Sequence, residues 1–323
     1  MAPAWGGVAH VLFEKIARII ATNNERLSIP INHLNKTRIA PTPSGFLHLG
    51  NVLSFAITAY LAREKGCKIH LRIDDLDQDR IKKWYIQDIF DTLDFLEIPW
   101  DEGPRNAKEF ENSYSQLHRI NMYHSAIEQL VNNKLVFACT CSRRQLISVD
   151  LSNIPCSCFN RQIPLDTKNA SWRLLTGDNS KWAVKSYDGR VIQANLPIEM
   201  HNFVVKKKDG FPAYQLASII DDLFYDVDFI VRGQDLWPST IAQHALASAL
   251  KEDDFKNITF YHHPLITDTS GKKLSKSAGA TSIKYLRDNG KNAAEVYQLI
   301  ASIIGINETT DNWQLLANSI INA

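Results

Sequence analysis

The stretch from Arg38 to Ile73 constrains the fold more than any other part of the chain. Arg38-Ile39-Ala40 reads as a short strand that runs into Pro41-Thr42-Pro43-Ser44-Gly45, a loop made of turn formers. From Val52 to Lys65, Leu53, Ile57, Tyr60 and Leu61 recur at helical spacing, and Gly66 stands where a helix stop belongs. Lys68 to Ile73 then reads as a second strand. Strand, loop, helix, strand is a βαβ unit. A crossover helix makes the two strands parallel, so the spacing predicts an α/β fold with a doubly wound, Rossmann-type parallel sheet.

Further along, the rhythm breaks and returns. Between about residues 112 and 212 lie a helical stretch, a cysteine-rich segment from Cys139 to Cys158, and strand-like pieces such as Trp182 to Lys185. Asp228 to Arg232 is again an apolar strand, Ser239 to Leu250 a helix, and Thr259 to Ile266 a strand followed by a basic loop. Asp221-Asp222 reads as the cap or end of the preceding helix. The expected division is an extension over 1–36, half of the sheet domain over 37–111, an insertion over 112–212, the second half with its lysine loop over 213–282, and a short helical segment over 283–323.

Composition narrows the function classes. A formal charge of +1 supplies no global basic field, so contact with RNA would come from a local patch. The leading apolar run, Val8 to Ile20, is broken by Glu14, Lys15 and Arg18, which suits an amphipathic helix better than a signal peptide. No stretch is long and apolar enough for a spanning helix, and the five cysteines then read as thiols or metal ligands. A cytoplasmic protein without a membrane partner, acting as a monomer, is the expectation.

Two motifs carry the chemistry. Pro41 to Asn51 holds Gly45 and Gly50, which let a ligand approach the backbone, and ends at a helix N-terminus whose N–H groups suit phosphate oxygens. His48 can donate to a phosphate as charge develops. Gly271-Lys272-Lys273-Leu274-Ser275-Lys276-Ser277 is a lysine-rich loop able to close over a triphosphate and neutralise departing pyrophosphate. Each alone is ambiguous, since a lysine-rich loop is commonly a solvated surface; the pair in this order points to nucleotide chemistry.

At these residues the chain resembles the class I aminoacyl-tRNA synthetases. His48-Leu49-Gly50-Asn51 is similar to their "HIGH" signature and Lys273-Leu274-Ser275-Lys276-Ser277 to their "KMSKS" loop. The string Arg38 to Gly45, with Arg72-Ile73-Asp74-Asp75-Leu76-Asp77, resembles the glutamyl branch, including its short paralogues that act on the queuosine of tRNA(Asp). The resemblance spans about residues 37–280. It implies ATP and Mg²⁺ as cofactors, with ATP held by Pro41, Ser44, Gly45, His48, Gly50, Asn51 and Lys276, and catalysis by His48, Lys273 and Lys276. It further implies a glutamate pocket of Arg38, Ala40, Thr42, Asp74, Tyr214 and Arg232. The residue types agree with that substrate: guanidinium forks grip carboxylates and an acidic group holds the ammonium. Asp74 stands where the family has Glu, pulling the carboxylate back by about 1 Å.

Cys139-Thr140-Cys141 and Cys156-Ser157-Cys158 form two close pairs of thiols. Four thiolates suit a structural, tetrahedral Zn²⁺, the alternative being free, partly buried thiols. The resembling family's zinc insertion also begins with Cys-x-Cys, with Cys156 here in the place of a tyrosine ligand. The implied activity is ligation: ATP activates glutamate as an adenylate, and a tRNA hydroxyl accepts it. Residues 278–323 are too few for an anticodon-binding region, which favours the queuosine base of tRNA(Asp) as acceptor. The alternatives are a minimal synthetase charging the tRNA 3′ end, or a non-catalytic synthetase-like sensor. A small-molecule nucleotidylyltransferase fits the cysteine segment and the paired arginines less well.

Overall fold

Strands β1 (Lys36–Ile39) and β2 (Lys68–Leu71) pair in parallel, Lys36 opposite Lys68 and Ile39 opposite Leu71. The computed structural model describes residues 34–142, 158–177, 181–265 and 282–322, and from Asn35 onward the chain forms one unit. The crossover between the strands is helix α1 (Leu49–Lys65). It starts in a capping box: His48 Nδ1 accepts the Gly50 N–H (3.1 Å) and Asn51 Oδ1 accepts the His48 N–H (3.0 Å). It stops at Gly66, where φ is 68° and the Cys67 N–H reaches back to the Ala62 carbonyl (2.8 Å). The predicted βαβ unit is present, with the helix starting three residues earlier than its apolar pattern suggests because the cap lies within the motif.

Helix α2 (Lys83–Phe95) follows, then α3 (Ile120–Asn132), which buries Tyr123, Ala126, Ile127 and Leu130 on one stripe. Next come β3 (Val136–Cys139), β4 (Ser171–Leu174), β5 (Lys181–Ser186), β6 (Val191–Asn195) and β7 (Val204–Lys206). Helix α4 (Tyr214–Phe224), β8 (Phe229–Gly233), α5 (Trp237–Leu250) and β9 (Thr259–His263) resume the α/β alternation. Three short helices close the described chain: α6 (Ile283–Asp288), α7 (Ala293–Ile303) and α8 (Trp313–Ile321).

The strands group by pairing rather than by sequence block. β3, β4 and β7 make a small antiparallel sheet, whereas the β5–β6 hairpin joins the larger one, in the order β6-β5-β9-β8, with β5 and β8 both parallel to β9. The stretch 112–212 therefore divides between two sheets, because Val184 of β5 packs into the main core with Ile230 and Phe260. β1 lies beside β8 without a regular ladder. The Asp228 carboxylate takes the Asn35 and Lys36 N–H groups (2.9 Å each at the shorter contacts), and the Asp228 N–H donates to the Lys36 carbonyl at 3.1 Å.

The last helices fasten the first ones. Tyr60 of α1 donates to Asn318 of α8 (2.8 Å), and the buried Tyr297 hydroxyl of α7 donates to the Leu96 carbonyl after α2 (2.6 Å). No helix among the described residues is long and apolar enough to cross a membrane.

Residues 101–103 extend the sheet along β2, with the Asp101 N–H on the Ile69 carbonyl (2.8 Å) and the Leu71 N–H on the Glu102 carbonyl (2.9 Å). Gly103 ends this edge at φ 100°, where a Cβ would strike the Leu71 carbonyl oxygen. Gly103→Ala is predicted to cost about 2 kcal/mol or more of stability, checked by urea unfolding of the two proteins.

Candidate active site

The strand order places a crevice where the connections reverse: from β1 the chain crosses one way to β2, and from β8 the other way to β9. Ligands of open α/β sheets bind at such a point, beyond the carboxyl ends of the strands. A cavity of about 370 Å³ opens there, lined by Arg38, Ile39 and Ala40 at the end of β1 and by Val231, Arg232 and Gly233 at the end of β8. Pro41, Thr42, Gly45 and Asn51 from the loop and first turn of α1, Arg72 and Asp74 after β2, and Tyr214 at the start of α4 add to the wall. The size is that of a small-molecule site.

Backbone bonds hold this wall in register. The Arg72 N–H donates to the Ile39 carbonyl and the Asp74 N–H to the Pro41 carbonyl, both at 2.9 Å, so the turn-rich loop continues the alignment of β1 with β2. Prolines at 41 and 43 cannot donate, which leaves that loop with few competing pairings. On its far side, the Ile283 N–H donates to the Leu47 carbonyl (2.8 Å), and His48 bridges to Ser282. Asp88 of α2 accepts from the Leu47 N–H (3.4 Å) and from Arg287 of α6 (3.1 Å).

Behind the cavity lies a buried set of charges. Arg72 donates twice to Asp74 (Nε to Oδ1 2.8 Å, Nη2 to Oδ2 3.3 Å) and once to Asp222 (Nη1 to Oδ1 2.6 Å). Arg38 donates to the same Asp222 oxygen (3.2 Å) and to the Val231 carbonyl (3.2 Å). Asp221 accepts from Arg119 (2.9 Å), Tyr123 (2.7 Å) and Gln116 (2.7 Å). Burial pushes the Asp221 carboxyl up, but the Arg72 and Arg119 guanidiniums outweigh it and hold it below the ordinary carboxylate range. Burial dominates at Asp74 and raises it to about 6, despite Arg72. Asp221 and Asp222 do not cap the end of their helix: both are buried within α4 and face arginines from other elements.

Arg232 differs from these arginines. It is 4% exposed, donates Nη2 to Gln243 (2.8 Å) and lies over the Phe260 ring (4.9 Å), yet no carboxylate pairs with it among the described residues. Its Nε and Nη1 have no hydrogen-bond acceptor there. Burial lowers it to about 10, which leaves it cationic at neutral pH. A buried cation on a cavity wall with unspent donors is a seat for an anion.

The structure thus gathers Arg38, Ala40, Pro41, Thr42, Gly45, Asn51, Asp74, Tyr214 and Arg232 around one cavity. His48 and Gly50 stand at the α1 cap, and Ser44 in the loop turns back to Thr42 (2.9 Å); none of these three is part of that lining. Lys273 and Lys276 lie outside the described residues, as does Cys156. Cys139 at the end of β3, Cys141 and Cys158 converge beside the small sheet, their sulfurs all within 4.8 Å of one another. Sequence reading gave no role to Arg119, Gln116 or Tyr123, placed Arg72 only within the family-like string, and took Asp222 for a helix cap. The signal for Arg72 was its place two residues before Asp74 at a strand end; for the others, widely separated in the chain, there was none.

Comparison with known proteins places this geometry. The family model "tRNA synthetases class I (E and Q), catalytic domain" matches residues 35–162 and 166–315. A glutamyl-Q tRNA(Asp) synthetase of Synechococcus sp. (strain CC9605) is 36% identical over 82% of this chain and 81% of its own length. Its counterpart in Nitratidesulfovibrio vulgaris is 31% identical over 83% and 86%. A glutamate–tRNA ligase of Dehalococcoides mccartyi (strain ATCC BAA-2266) is 30% identical over 76% of this chain but 51% of its own. Among solved structures, a glutamate–tRNA synthetase from Elizabethkingia anophelis shares the fold with a TM-score of 0.63 at 20% identity, covering 88% of this chain and 65% of that one. This chain belongs to the class I tRNA synthetases of the glutamate and glutamine type, a family of ligases.

Proposed function

We propose that this chain activates glutamate with ATP and transfers it to the queuosine base of tRNA(Asp). The observation that carries the glutamate reading is Arg232, a buried cation with two unpaired nitrogens on a wall shared with Arg38 and Asp74. Glutamate brings two carboxylates and one ammonium. Arg232 and the outer edge of Arg38 suit the carboxylates. Asp74 suits the ammonium, since Arg72 takes one lone pair on each of its oxygens and leaves the others. Tyr214 adds a hydroxyl at the mouth. The queuosine reading is supported by the relatives named for that reaction, 31–36% identical over 81–86% of their length, against 29–30% over 51–55% for the glutamate–tRNA ligases.

In the first step a glutamate α-carboxylate oxygen attacks the α-phosphorus of ATP, the bond to the bridging oxygen breaks, and pyrophosphate leaves. In the second, a queuosine hydroxyl attacks the adenylate carbonyl and AMP leaves with the bonding pair. His48 Nδ1 accepts from Gly50, so in the neutral ring the proton is on Nε2, a donor suited to a phosphate oxygen. Gly45, Gly50 and Asn51 at the α1 N-terminus, with Pro41 and Ser44, suit the rest of the nucleotide. The residues flanking the lysine loop support Lys273 and Lys276 as partners of the departing pyrophosphate: Leu265 lies against Gly233 and Ser282 against His48. Mg²⁺ supplies charge neutralisation there when bound. Asp74, the only carboxylate lining the cavity among the described residues, is already held by Arg72, so we assign Mg²⁺ to the phosphates themselves.

We assign Zn²⁺ to Cys139, Cys141 and Cys158, with Cys156 as fourth ligand, in a subdomain within residues 112–212 that receives tRNA. The three converging sulfurs fit, because tetrahedral zinc with Zn–S near 2.3 Å needs thiolates about 3.8 Å apart. A tRNA substrate supports a cytoplasmic setting.

Three measurements test this reading. Radiolabelled glutamate is expected on tRNA(Asp) from queuosine-producing cells and not from cells lacking queuosine. Equal labelling of both would move the acceptor to the 3′ end, and absence of glutamate-dependent pyrophosphate release would leave only a sensor. Next, Asp74 must be ionised to hold an ammonium, so kcat/KM for glutamate should rise with pH through about 6. Asp74→Asn should abolish that rise and raise KM about tenfold or more, read by ATP–pyrophosphate exchange. Finally, metal analysis should find about one zinc per chain, lost in Cys158→Ser together with a drop in Tm.

A further inference from the structure

Asp222 is the one carboxylate among the described residues that touches two arginines of the cavity wall, and it does so from outside the cavity. Its Oδ1 takes the Arg38 Nε at 3.2 Å and the Arg72 Nη1 at 2.6 Å, from residues 184 and 150 positions away in sequence. It is 1% exposed and absent from the lining, and its Oδ2 has no hydrogen-bond partner among the described residues. The consequences differ for the two arginines. Arg72 has all three nitrogens engaged, Nε and Nη2 on Asp74 and Nη1 on Asp222, so the direction in which it presents Asp74 is set by Asp222. Arg38 is pinned on one side by Asp222 and on the other by the Val231 carbonyl, which fixes which edge of its guanidinium meets the cavity.

We infer that Asp222 is a positioning residue for amino-acid recognition. One buried carboxylate sets the separation between the cation of Arg38 and the anion of Asp74, and with it the length and charge pattern of amino acid that fits between them. The inference rests on the proposed glutamate site and deepens it. Its neighbour serves another purpose: Asp221 is spent on Arg119, Tyr123 and Gln116, so it ties α4 to α3 and the turn before it and touches no donor that lines the cavity within hydrogen-bond distance. Two adjacent aspartates on one helix thus divide into a scaffold contact and a site contact. Charge alone predicts the opposite effect from positioning. If Asp222 only offset the arginines, removing its charge would strengthen the cationic field and tighten the binding of an anion; if it positions them, the same removal loosens both.

The sign of the change in KM therefore decides. Asp222→Asn is expected to raise KM for glutamate roughly ten- to a hundredfold in ATP–pyrophosphate exchange with tRNA present, with KM for ATP within about twofold of the parent. Selectivity for glutamate over glutamine should fall with it. In a double-mutant cycle, Asp222→Asn should cost less in the Arg38→Gln background than in the parent, because only its hold on Arg72 is then left to lose. That double variant also removes both charges of the pair, so it keeps the test open if the single variant fails to fold. An unchanged or lower KM for glutamate in folded Asp222→Asn, or additive effects in the cycle, would overturn the inference. A parent protein without glutamate-dependent exchange would instead overturn the glutamate reading beneath it.

Discussion

The site depends on one buried arrangement of charge: Arg38, Arg72 and Arg119 set against Asp74, Asp221 and Asp222, three of each sign, behind the carboxyl ends of β1, β2 and β8. Ions leave water only at a cost of several kcal/mol each, so such a set persists when nearly every lone pair and N–H finds a partner. Here the partners come from five different elements. None of them could hold its ions alone. The network therefore acts as a lock on the relative placement of the first βαβ unit, α3 and α4.

Arg232 stands against this balance. Its neighbours are Gln243, the Phe260 ring, Tyr214 and Arg38, with Asp222 near but not paired to it, and burial depresses its affinity for a proton without removing its charge. The wall thus sets a cluster of paired charges, with only Asp222 Oδ2 and Arg119 Nη2 left over, beside a cation that no carboxylate pairs among the described residues. That contrast supports the proposed substrate, an anion that also carries a positive group. In that reading Arg232 takes the anion and the lone pairs of Asp74 not used by Arg72 take the positive group.

The motifs and the fold opening were legible because they are local. Gly45 and Gly50, the capping pair His48 and Asn51, and the stop at Gly66 lie within one strand–helix–strand unit, where chain geometry alone sets the result. Three elements of the second half, β8, α5 and β9, were also readable, with boundaries shifted by at most three residues. Pairing was not. Nothing in the run Trp182 to Lys185 says that it joins β9 rather than β3, since an alternating strand fits any sheet with an open edge and a matching core. Asp221 and Asp222 misled for a similar reason: acidic residues near a helix end read as a cap unless the arginines that face them are known.

The sequence by itself determined the class of fold, the family, and the residue types of the pocket, because short-range spacing and turn chemistry dictate a βαβ unit and its phosphate-suited loop. Tertiary structure alone decided which arginines are spent and which one is left over. That distinction depends on distances between residues 102 to 184 apart in the chain, where a guanidinium either meets a carboxylate in the interior or does not.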